Sequence, residues 1–69
     1  MPIDPLTADA IQRQMDAAEA TGAGGNARGA AHAYQKLGDL LKEQLGPYDG
    51  SVLDAYEGMA RWVASPDYH

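Results

Sequence analysis

The chain has 69 residues, which is enough for one small domain. It has no cysteine, which excludes a disulfide framework and a thiolate zinc site, and His32 and His69 lie too far apart to predict a metal site. The formal net charge of -5, with five dispersed Lys and Arg residues, argues against nucleic acid or an anionic membrane surface as a direct ligand.

The first predicted helix spans residues 5–22. Asp4 as N-cap before Pro5 at the first helical position is a typical start, and Thr7 is a second candidate cap. Small and apolar residues then recur at helical spacing, at Ala10, Ile11, Met15 and Ala18. The glycines that end the helix are Gly22, Gly24 and Gly25.

The second predicted helix spans residues 27–45, with Asn26 as its N-cap and Gly46-Pro47 as its end. Its apolar residues are spaced by three and four, which is typical of an amphipathic helix. They are Ala30, Ala33, Tyr34, Leu37, Leu40, Leu41 and Leu45. Gly38 lies inside this helix, and we expect the backbone of another helix to come close there.

The third predicted helix spans residues 50–64, and Ser51 with Asp54 resembles a capping box at its start. Ser65-Pro66 stops it, and residues 65–69 are expected to form a frayed tail. The apolar stripe consists of Val52, Leu53, Tyr56, Met59, Ala60 and Val63, widened by Trp62. No segment alternates like a strand, so the sequence predicts a single all-α domain of three helices.

The turn between the last two helices, Leu45-Gly46-Pro47-Tyr48-Asp49, resembles that of a tetratricopeptide repeat of the long-helix bacterial variety. The family's small and aromatic positions match Ala30 and Tyr34. On the next helix its large, large, small and apolar positions match Tyr56, Met59, Ala60 and Val63. The resemblance covers residues 11–64, about one and a half repeats.

The chain departs from this family at three points. Glu57-Gly58 stands where two asparagines are usual, Gln14 stands where a large apolar residue is expected, and the His-Pro pair after the turn is missing. Stability in such arrays usually needs three or more stacked units. The resemblance therefore implies that the chain self-associates or completes its core on a partner protein. The alternative is a compact three-helix bundle that closes on itself.

The resemblance also implies that the opening helices line a concave surface for a partner. The inward positions would be Gln12, Met15, Glu19, Asp54, Glu57 and Arg61. Carboxylates with one arginine suit a peptide that carries Lys or Arg, bound as a helix in a groove. The alternative is a solvated face with a Glu57–Arg61 pair one turn apart.

Two aromatic residues are further candidates for partner contact, because Trp and Tyr are frequent in interface hot spots. They are Trp62 and Tyr68. For Trp62 the alternative is a place in the core, and for Tyr68 it is no role at all.

Catalysis is not expected, and neither is a cofactor or a small-molecule substrate. Ser51 and Ser65 have no histidine nearby in sequence, and paired carboxylates need an enclosing pocket to act as acid and base. The glycine run before the second helix lacks the Lys-Ser/Thr of a phosphate loop and follows no strand.

The sequence therefore favours an adaptor that binds a protein partner, itself or both. One alternative is a small acidic inhibitor, such as an antitoxin or a phage-encoded blocker, of a basic or nucleic-acid-binding target. A second alternative is an accessory regulatory subunit of a larger complex. The chain has no signal-peptide pattern and no run of roughly 20 apolar residues, so we expect a cytoplasmic protein. Its alanine- and glycine-rich composition with few lysines indicates a high-GC bacterial genome or its phage as the source.

Overall fold

The computed structural model describes residues 7–68, which form three α-helices and a C-terminal 3-10 turn. The helices are α1 (Ala8–Ala23), α2 (Ala27–Leu45) and α3 (Gly50–Val63), and the turn is Pro66–Tyr68. The predicted all-α fold and the order of the three helices are confirmed, and residues 7–68 contain no strand. Across this range, no helix combines the length and the apolar character that crossing a membrane requires.

The start of α1 is fixed by Thr7, the second of the two candidate caps. Its Oγ1 accepts the backbone N–H of Ala10 at 3.2 Å. The first candidate, Asp4 with Pro5, lies outside the described residues. At the other end, the turn into α2 passes through Gly25 with a φ of 100°, a conformation that glycine adopts without steric cost.

The caps of α2 and α3 come from residues in the two interhelical turns. Asn26 caps α2 as predicted, because its Oδ1 accepts the Gly29 N–H at 2.8 Å. The capping box predicted from Ser51 is wrong. Asp49 is the N-cap of α3, since its extended backbone lets Oδ1 accept the Ser51 N–H at 2.9 Å, and Ser51 lies within the first turn. Gly46 ends α2 with a φ of 91°.

Helix α2 is the central element, and it packs against both α1 and α3, whereas α1 and α3 touch each other little. The buried apolar cluster draws on all three helices. Its members are Ile11, Ala18, Tyr34, Leu37, Leu41, Val52 and Ala55. This arrangement leaves an open groove between α1 and α3, with α2 behind it.

Three aromatic rings lie directly over glycines of neighbouring helices. A Cβ added to Gly58 would lie 2.6 Å from Cε1 of Tyr34, and one added to Gly38 would lie 2.8 Å from Cε1 of Tyr56. Gly22 meets the indole of Trp62 in the same way. The atoms nearest to such a Cβ at Gly38 belong to the Tyr56 ring of α3. These contacts fix the register of α3 against α1 and α2.

The apolar stripe predicted for α3 is wider than the face that packs. Val52 is buried as expected, and so is Ala55, which the predicted stripe did not include. Leu53, Ala60 and Val63 are exposed. The reason is that α3 lies at the edge of the fold and packs mainly against one neighbour, α2. Helical spacing predicts an apolar face, but it does not show how many helices cover that face.

The segment after α3 was expected to be a frayed tail, and the structure forms the 3-10 turn there. Nε of Arg28 donates to the backbone oxygen of Tyr68 at 2.7 Å, and the guanidinium lies 5.3 Å from the centroid of the Tyr68 ring. A cation over an aromatic face at this distance is attractive. Helix α2 thereby holds the end of the chain up to Tyr68; His69 lies outside the described residues.

Candidate functional site

The groove between α1 and α3 is an open cavity of about 400 Å³, with the Tyr34 side chain of α2 reaching its floor. The α1 wall is formed by residues three and four apart, which lie on one helix face. The lining residues are Gln12, Met15, Asp16, Glu19, Tyr34, Asp54, Glu57, Gly58 and Arg61.

All six residues predicted for the concave surface line this groove. They are Gln12, Met15, Glu19, Asp54, Glu57 and Arg61. Trp62 does not line it, but packs half-buried against the core with its ring on Gly22 and its indole N–H directed to Glu19. Tyr68 lies apart from the groove, against Arg28. The structure thus brings together six of the candidates, places Trp62 beside them and separates Tyr68.

The carboxylate of Glu19 is the point where all three helices meet. Its Oε1 accepts the hydroxyl of Tyr34 from α2 at 2.7 Å. The same oxygen accepts two hydrogen bonds from α3, one from Nη2 of Arg61 at 2.5 Å and one from the indole N–H of Trp62 at 3.4 Å. The ion pair is only partly shielded, since the Glu19 and Arg61 side chains are 39% and 59% exposed.

These contacts shift the titration of both Glu19 and Tyr34. The hydrogen bond from the Tyr34 hydroxyl, with the hydrogen bond and charge of Arg61, holds the pKa of Glu19 below its ordinary value, although burial opposes this. Burial, followed by the hydrogen bond to the Glu19 carboxylate, raises the pKa of Tyr34 to about 12. Around neutral pH the site therefore consists of a carboxylate and a protonated phenol.

Acid should destabilise the fold in part through Glu19. Its pKa is lower in the folded chain, so this stabilisation is present above the ordinary glutamate pKa and is lost as pH falls through the folded-state pKa. Glu19→Gln should therefore lower the free energy of unfolding at neutral pH and flatten its acid dependence. Urea unfolding at several pH values, followed by Trp62 fluorescence, measures both. Glu43→Gln on the exposed side of α2 is the control, and equal slopes in the two variants would contradict the assignment.

The charges along the groove are not balanced. Arg61 pairs across the groove with Glu19 of α1. The solvated-face alternative had predicted a pair with Glu57, one turn back on the same helix. Asp16 accepts a hydrogen bond from the uncharged Gln12 at 2.9 Å. Among residues 7–68, Asp16, Asp54 and Glu57 have no ion-pair partner. The groove therefore presents three uncompensated carboxylates.

Sequence reasoning missed the groove roles of Tyr34, Asp16 and Gly58. Asp16 follows Gln12 by four residues, so helical spacing alone was enough to find it. Tyr34 was assigned to the apolar stripe of the second helix, and its hydroxyl reaches Glu19 only through the register of α1 against α2. Gly58 lines the groove because the Tyr34 ring lies on it. No signal within a single helix shows either of these contacts.

A second depression, of about 510 Å³, lies between α1 and α2 on the other flank of α1. It is lined mainly by small and apolar residues with Lys36 at its edge, and it contains no carboxylate. Within the described part of the chain, no three His, Asp or Glu side chains are grouped to hold a metal ion. The groove between α1 and α3 is therefore the candidate site with the more distinctive chemistry.

Comparisons with protein-family models, with curated protein sequences and with solved structures find no match to this chain.

Proposed function

We propose that the chain is a non-catalytic protein-interaction module that binds a basic segment of another polypeptide in the groove between α1 and α3. The observation that carries this proposal is the set of carboxylates on the two facing walls. Asp16 comes from α1, whereas Asp54 and Glu57 come from α3. A bound segment with Lys or Arg side chains would contact both helices at once.

The arrangement of the helices supports a tetratricopeptide-like mode of binding. In the resemblance drawn from the turn sequence, the opening helices of successive repeats line the concave face and the second helix lies behind them. Here α1 and α3 line the groove and α2 backs it. An amphipathic helix laid along such a groove makes contacts at three- and four-residue spacing. We propose this mode for the partner.

Charge would act on both the rate and the specificity of binding. The chain has a net charge of -5, so a basic partner is attracted before contact. Within the groove, Arg61 is already neutralised by Glu19, which leaves the remaining carboxylates available. Exposed pairs of this kind are screened by salt. Affinity should therefore fall as ionic strength rises.

A synthetic amphipathic helical peptide with arginines along one face is the probe for this proposal. The same peptide with citrulline in place of arginine keeps the shape and removes the charge. The single tryptophan, Trp62, donates to Glu19 at the groove edge and provides a fluorescence signal. We expect saturable binding of the arginine peptide and little binding of the citrulline peptide. Equal binding of both, or of neither, would contradict the proposal.

Glu57→Gln should weaken binding of the arginine peptide about two- to fivefold, because one exposed charge pair contributes up to about 1 kcal/mol. Glu43→Gln is the matched control. It makes the same substitution at an exposed position of α2 that is not part of the groove. Titration of both variants at one fixed salt concentration measures the difference. If the two variants lose affinity equally, the effect is one of net charge and the groove is not the binding site.

The acidic groove also supports a second candidate function, the inhibitor of a basic target. Such an inhibitor would cover a basic surface of a folded protein with the same carboxylates. An interaction module would instead take up an isolated helix. Saturable binding of the short arginine peptide favours the module, because the peptide offers no folded surface.

A further inference from the structure

We propose that the guanidinium of Arg61 occupies the position of a partner's basic side chain at Glu19, so that the partner binds by exchanging one cation for another. This inference rests on the proposed function and specifies its partner. The bound segment would carry an arginine or lysine whose charge replaces Arg61 at the Glu19 carboxylate. Arg61 is the only cation among the residues that line the groove in the described part of the chain.

The acceptor is held in place without Arg61. Two neutral donors, the hydroxyl of Tyr34 at 2.7 Å and the indole N–H of Trp62 at 3.4 Å, reach the same oxygen of Glu19. Both donors are themselves fixed, since the Tyr34 ring lies over Gly58 and the Trp62 ring over Gly22. When Arg61 leaves, Glu19 remains an oriented carboxylate that faces the groove. A preorganised acceptor of this kind reduces the free energy needed to order the site on binding.

Arg61, in contrast, can leave easily. Its side chain is 59% exposed, and exposed ion pairs contribute little to stability. The released guanidinium can therefore turn into solvent, which leaves the Glu57 carboxylate to the bound segment. Exchange requires a rotation of the Arg61 side chain and no movement of the helices.

The proposal predicts that removing Arg61 strengthens binding. Arg61→Gln should bind the arginine peptide about five- to tenfold more tightly than the wild type, because the internal competitor is gone. Lys36→Gln removes the same charge from an exposed position of α2, beside the second depression and outside the groove, so it measures the effect of net charge alone. We expect that control to change affinity by less than about twofold. Arg61→Lys, which keeps the charge, should gain less affinity than Arg61→Gln.

The role of Glu19 is tested by combining the changes. In a Glu19→Gln background, Arg61→Gln should improve affinity no more than Lys36→Gln does, because the site of competition is absent. Urea unfolding of each variant shows whether the fold is retained. The exchange proposal would be overturned if Arg61→Gln and Lys36→Gln gave equal gains in the wild-type background, or if Arg61→Gln bound the peptide more weakly. Either result would leave the groove as a binding site. Failure of all variants to bind the peptide would instead overturn the proposed function.

Discussion

Leu41→Ala should lower the free energy of unfolding by about 2–5 kcal/mol, the range for a leucine truncated in a packed core. Leu41 has 0% exposure, and with Val52 it is one of the two largest fully buried side chains among the described residues. A domain of this size has a total stability of roughly 3–10 kcal/mol. The substitution therefore removes a large share of what holds the three helices together. We expect it to abolish the cooperative transition or to shift it to much lower urea concentration.

Leu53→Ala is the matched control for Leu41→Ala. It deletes the same atoms from α3, but Leu53 is 58% exposed. Alanine is also a slightly better helix former than leucine, so the stability should change by less than about 0.5 kcal/mol. Urea unfolding followed by far-UV circular dichroism measures both variants. A similar loss in the two would mean that Leu53 is covered in solution, for example by a second copy of the chain.

Leu41 and Leu53 also show how far the sequence determines the core. Both were assigned to apolar helix faces from their spacing, yet only Leu41 is buried. The spacing determines the side of a helix that is apolar, but burial depends on whether another helix lies against that side. Helix α2 has a neighbour on two flanks, whereas α3 packs mainly against α2. The helices were therefore predictable from local signals, but the coverage of their faces was not.

For the candidate site, the lining positions were predictable, but the pairing of their charges was not. The six concave positions were implied by the resemblance of the turn to a tetratricopeptide repeat, and all of them line one groove. The charge pattern within the groove was not predictable. Arg61 has Glu57 one turn away, and local spacing favours that pair. The actual partner, Glu19, is 42 residues away in sequence, so the pairing depends on the tertiary register of α1 and α3.

Gly58→Ala should destabilise the protein by about 1–3 kcal/mol, the usual range for overpacking. This direction is opposite to the helix propensity, which favours alanine over glycine by roughly 1 kcal/mol in a helix interior. The added Cβ would lie 2.6 Å from Cε1 of Tyr34, closer than packed carbon atoms approach. The Tyr34 ring is buried and its hydroxyl is bound to Glu19, so it has little room to move.

Gly50→Ala separates the steric effect from the propensity effect. Gly50 is the first residue of the same helix, and a Cβ added there meets no atom within 4 Å. This variant should be neutral or stabilised by up to about 1 kcal/mol. Thermal unfolding of both proteins, followed by circular dichroism, measures the contrast. A stabilised Gly58→Ala protein would show that the Tyr34 ring does not lie on Gly58.

Gly58→Ala should also change the groove, through the hydrogen bond between Tyr34 and Glu19. Displacing the Tyr34 ring moves its hydroxyl away from Glu19, and this hydroxyl is the strongest influence on the Glu19 pKa. The variant should therefore show weaker acid dependence of unfolding and weaker binding of the arginine peptide, whereas Gly50→Ala should show neither change. In a Tyr34→Leu background the destabilisation by Gly58→Ala should shrink, because the ring that it meets is gone. Gly58 is in this way tied to Tyr34, the residue that orients Glu19.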